Sequence, residues 1–141
     1  MIDRRQKRSM QPRVAARFYL DSLAMNHGLS ALILATPEGK LVCGSESRRY
    51  GKSLLVSGVS DGYGRQLAAV APHAAADAER GEQGSWTGKD NEPIWSSRIL
   101  IDGENYFVAA VGYDGLAARD AALDALKGVE RIFSGEQAQA A

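Results

Sequence analysis

The side chains that most often act as nucleophiles, general bases or metal ligands are scarce in this chain. It has one cysteine, Cys43, and two histidines, His27 and His73. A zinc-binding helix presents two histidines four residues apart on one face, and neither histidine has such a neighbour. His27 falls at the end of a helical pattern and His73 follows Pro72, positions that suit surface or capping roles. Cys43 lies in a run that reads as a strand. A reactive thiolate needs cations or a helix N-terminus around it, and a strand interior supplies neither, so Cys43 is expected to be a small buried hydrophobe. A single cysteine also leaves no intrachain disulfide and no cysteine cage for zinc, which fits a reducing cytoplasm.

Other candidates for chemistry are weak. Gly58, Gly62 and Gly64 in "GVSDGYGR" could place an anion at a helix N-terminus. Their spacing matches neither the phosphate loop nor the dinucleotide fingerprint, and turn glycines are the simpler reading. Asp102 and Glu104 share a turn, which suits solvent better than acid–base work. No nucleophile with its base and no metal cluster can be assembled. The expectation is a protein that is not an enzyme and takes no cofactor or metal. Trp86 and Trp95 flank a polar loop; they either close the core or anchor a partner-binding surface.

Composition fits a single soluble domain. The chain has 141 residues, 45% hydrophobic and 24% charged, with 17 cations and 17 anions. The balance argues against nucleic acid as a partner. The charge is unevenly spread, since Arg4, Arg5, Lys7, Arg8 and Arg13 face only Asp3 in the first 13 residues. That stretch reads as a solvated leader or as a basic arm for an acidic partner. It lacks the apolar segment of a signal peptide, and no run is long enough to span a membrane.

The elements follow from periodicity. Pro12 suits the first turn of a helix whose apolar stripe is Val14, Phe18, Leu20, Leu23 and Met25. Residues 31–35 are apolar at every position, so this strand should be covered on both faces. A Pro-Glu-Gly turn leads to a second strand, residues 40–45. Leu54, Leu55 and Val56 either form a short strand or lead into a middle helix, with Asp61 as its cap. Along that helix Tyr63, Leu67, Val70, Ala71, Ala74 and Ala78 recur at helical spacing, and Pro72 predicts a kink or a break. Its small side chains would let a second copy approach, which makes Leu67, Val70, Ala71, Ala74 and Ala78 the expected dimer interface. A weak edge strand is expected at residues 85–89. Two strands joined by Asp102-Gly103, a strong hairpin signal, follow. Asp114 caps a last helix, with Leu116, Leu123, Leu126, Val129 and Phe133 expected inward. The expectation is therefore an α+β fold, a mostly antiparallel sheet of about five strands flanked by helices. The element order is α-β-β-α-(β)-β-β-α, with an ordered domain over residues 12–135 between disordered tails at 1–11 and 136–141.

Three segments carry a resemblance. "ALILATPEGKLVCGS" (residues 31–45) resembles the first hairpin of the roadblock/dynein light-chain family. Residues 96–135 are similar to the last two strands and final helix of bacterial roadblock proteins that act on Ras-like GTPases. "GYGRQLAAVAPHAA" is similar to the family's dimer helix. The resemblance implies a roadblock/profilin-like fold and a homodimer whose middle helices meet across a two-fold axis. It implies a role as a non-enzymatic scaffold or regulator of a small GTPase or larger assembly. The alternative reading is a small-ligand sensor of the GAF/PAS type, in which the central segment wraps a pocket.

Overall fold

A computed structural model describes residues 4–46, 53–55, 62–82, 86–88, 91–112 and 114–140, with backbone alone at 4–11, 53–55 and 135–140. In chain order the elements are α1 (Arg4–Asn26), β1 (Ala31–Ala35), β2 (Leu41–Glu46), β3 (Ser53–Leu55), α2 (Gly62–Glu79), β4 (Ile94–Ile101), β5 (Glu104–Val111) and α3 (Gly115–Ala140). The strands form one antiparallel sheet in the order β3-β2-β1-β5-β4.

The all-apolar run of β1 is buried at every residue because β1 sits mid-sheet with helices on both faces. Leu32 and Leu34 point into the core beneath α1 and α3, with Val108, Ala110 and Cys43. Ala31, Ile33 and Ala35 point into the core beneath α2, with Phe107, Ala109 and Val111. The result is a three-layer stack, α1/α3 over the sheet over α2. The β4–β5 turn has Asp102 at φ 52° and Gly103 at φ 79°. Two successive left-handed residues give the twist that a two-residue hairpin needs. Asp114 caps α3, its Oδ1 accepting from the N–H of Leu116 at 3.0 Å and of Ala117 at 3.3 Å.

Three expectations are corrected. The short strand beyond the two hairpins lies before α2, at Ser53–Leu55; at 85–89 the described residues make only an isolated bridge, Thr87 to Pro93. Pro12 lies inside α1 rather than at its start. Pro72 lies inside α2, which continues as one helix to Glu79. Pro72 has no N–H for the Ala68 carbonyl. That carbonyl faces the β1–β2 turn so closely that a Cβ on Gly39 would stand 3.4 Å from it. One residue before the proline, the Ser96 hydroxyl donates to the Ala71 carbonyl at 2.8 Å and ties α2 to β4. Tertiary packing of this kind holds a helix through a proline.

Candidate interaction surface

The alanine stripe of α2 lies against its own sheet. Leu67, Ala71 and Ala74 are buried within the single chain, while Val70 and Ala78 are half-buried. Small side chains do allow a close approach here, but what approaches is β4, β5 and β1. The outward side of α2 instead presents Gln66, Ala69 and His73.

Trp86 lies on that outward side. Its indole N–H donates to Asp77 Oδ2 at 2.7 Å, and Arg80 also bonds Asp77. The His73 ring stacks on the indole, with centroids 6.2 Å apart and planes 25° from parallel. The Trp86 carbonyl accepts the N–H of Ile94 at 3.0 Å, tying this clasp to the start of β4. Trp95 is half-buried on the opposite layer, against the α1/α3 core and next to Gly115. The structure therefore does not bring the two tryptophans together.

The glycine-bearing start of α2 is occupied from within. Glu46, buried at the end of β2, accepts the N–H of Gly64 at 3.0 Å. A carboxylate at a helix N-terminus satisfies orphan N–H groups and the positive dipole end together. Nearby in the fold, buried Glu92 accepts a hydrogen bond from the Ser30 hydroxyl. No sequence pattern marks Glu46 or Glu92, because a lone glutamate at a strand end reads as solvated.

The nucleophile candidates have structural surroundings. Burial pushes the Cys43 thiol up to about 12, with Arg13 and Arg17 pulling only weakly the other way. A thiol so protonated is a poor nucleophile. His27 lies 3.7 Å from Asp124, between α1 and α3. Among the described residues no group of three or more His, Cys, Asp or Glu is placed to hold a metal.

The large apolar residues of α1 and α3 do not all face the core. Phe18 (58% exposed), Met25 (74%), Leu116 (62%) and Leu123 (47%) face solvent rather than the core. Ala118, Ala121, Ala122 and Ala125 turn inward in α3 instead, as do Ala16 and Ala24 in α1. The helices lie close together as a consequence: the Tyr19 ring sits directly on Gly128, where an added Cβ would fall 1.9 Å from it, and its hydroxyl donates to the Asp124 carbonyl at 2.9 Å. The outer face of this layer is thus the most apolar exposed surface described.

No family model matches the chain, and no curated protein matches it. Solved structures do. It is similar to MglB with tetrameric arrangement, with a TM-score of 0.59 at 13% identity, covering 89% of this chain and 92% of that one. It is also similar to Myxococcus xanthus MglB, with a TM-score of 0.54 at 10% identity, covering 88% and 91%. MglB is a roadblock-domain protein, so the expected resemblance holds at the level of the fold.

Proposed function

We propose that this chain is a self-associating, non-enzymatic scaffold or regulator that works in the cytoplasm by binding another protein, with a small Ras-like GTPase as the partner class. The observation that carries the reading is the shared fold. MglB is a GTPase regulator of the roadblock type, and the likeness runs through about nine-tenths of both chains. The buried, protonated thiol and the two structurally engaged histidines support a role in binding rather than turnover. No helix among the described residues is long and apolar enough to cross a membrane.

The homodimer belongs to this proposal. Its seam is the outward side of α2, from Gln66 through Val70 and His73 to Ala78, with Trp86 at its margin. Leu67, Ala71 and Ala74 support that seam from beneath. One neighbour's tetrameric arrangement makes assembly beyond a dimer part of the same reading.

The test is a calorimetric titration of the full chain with a small Ras-like GTPase from the same organism. The GTPase is loaded in turn with GDP and with a non-hydrolysable GTP analogue. Binding that prefers one nucleotide state is expected, with loss of affinity on Trp86→Ala. No binding to either state would remove the GTPase from the proposal.

A further inference from the structure

Of the five large hydrophobic side chains most exposed in the described chain, four lie on the α1/α3 layer. Phe18 and Met25 are seven residues apart on α1, and Leu116 and Leu123 are seven apart on α3. That spacing keeps each pair on one side of its helix, as a helix–helix contact requires. Large apolar side chains left exposed along two neighbouring helices point to an interaction site.

The charges beside these residues identify the occupant. The Arg17 guanidinium lies over the Phe18 ring at 4.4 Å, and its buried Nε has no hydrogen bond. No ion pair among the described residues includes Arg17 or the exposed Glu130. The register between the helices relates the two. His27 lies beside Asp124, and Tyr19, about two turns earlier, lies on Gly128, so α1 and α3 are antiparallel. Continuing that register sets Met25 level with Leu123 and Arg17 level with Glu130. A two-fold axis running along the helices, above the seam between them, would exchange the two columns at constant level.

We propose that the outward face of the α1/α3 layer is a self-association surface for a second copy of this chain. On it α1 of one copy packs on α3 of the other, Met25 against Leu123 and Arg17 against Glu130, twice across the axis. A two-fold contact must be self-complementary, and this face carries both the cation and its counter-ion. Two helices of this length side by side can cover the ~800 Å² per partner of a stable interface. The contact lies on the opposite side of the sheet from the α2 seam, so it would join α2-seam dimers into a larger assembly. This inference rests on the reading of the chain as self-associating.

The experiment is light scattering on the full chain and on Arg17→Glu, Glu130→Arg and the double variant, with circular dichroism confirming the fold of each. Each single variant should cut the assembly back to the mass of the α2-seam dimer. The double variant, with the pair reversed, should restore it, and so should an equimolar mixture of the two singles in part. Leu123→Ser should cut it back in the same way with no change of charge. Single variants that keep the wild-type mass would overturn this contact and leave the α2 seam standing. A wild-type chain that is monomeric throughout would overturn both.

Discussion

The two helical layers meet the same sheet with the same device and then diverge. Below the sheet, α2 presses Ala68, Ala71 and Ala75 onto β1 and β5; above it, α3 presses Ala118, Ala121 and Ala125 onto β4 and β5. Their outer surfaces differ. The α2 side is polar, with a tryptophan held by Asp77 and His73. The α1/α3 side leaves Phe18, Met25, Leu116 and Leu123 in solvent. Alanine on an inner face thus says how close a helix lies to its sheet. The large residues it displaces outward say which layer has a further contact to make.

The largest effect should come from charging an inner face. Ala71→Asp and Ala121→Asp each place an unpaired carboxylate at a fully buried site, a change expected to cost ~3–5 kcal/mol. Urea denaturation would measure it. The comparison of layers fails if Ala71→Asp yields a stable, folded monomer, because the alanine would then belong to a seam and not to the core.

Next comes the α1–α3 contact. Gly128→Ala drives a methyl into the Tyr19 ring and should lose ~1–3 kcal/mol. Tyr19→Phe removes only the hydrogen bond to the Asp124 carbonyl and should lose ~1 kcal/mol. A Gly128→Ala variant as stable as the wild type would mean that the ring does not sit on the helix backbone.

Cys43 gives a pH signature. Its folded pKa is raised from 9.0 to about 12, so the folded state holds the proton that the unfolded chain releases. Stability from this group is full below pH 9.0 and is lost as pH rises from there through about 12. Urea midpoints of the wild type should therefore fall more steeply above pH ~9 than those of Cys43→Ala. Parallel curves would contradict burial of the thiol. The smallest effect is reserved for the outer face: Leu116→Ser should change monomer stability by less than ~0.5 kcal/mol, whereas a larger loss would place it in the core.

Much of the fold was legible in the sequence. The unbroken apolar run 31–35 announced a strand covered on both faces, and Asp102-Gly103 announced the β4–β5 turn. The same reasoning failed where small residues decide the face. Counting Leu116 and Leu123 as inward is what helical periodicity of large side chains suggests, yet Ala118 and Ala125 win because they let α3 reach the sheet. The prolines mark no boundary: Pro12 does not open α1, and Pro72 does not divide α2 into two helices. The clasp of Trp86, Asp77 and His73 and the capping of α2 by Glu46 depend on contacts between elements, and no local spacing encodes them.

The central claim is that this fold exists to meet other chains. It is tested most directly by the molar mass of the full chain in solution at high micromolar concentration. The account predicts a mass that is a multiple of the 15.1 kDa of one chain and falls on dilution. A mass of 15.1 kDa that does not change with concentration would contradict it.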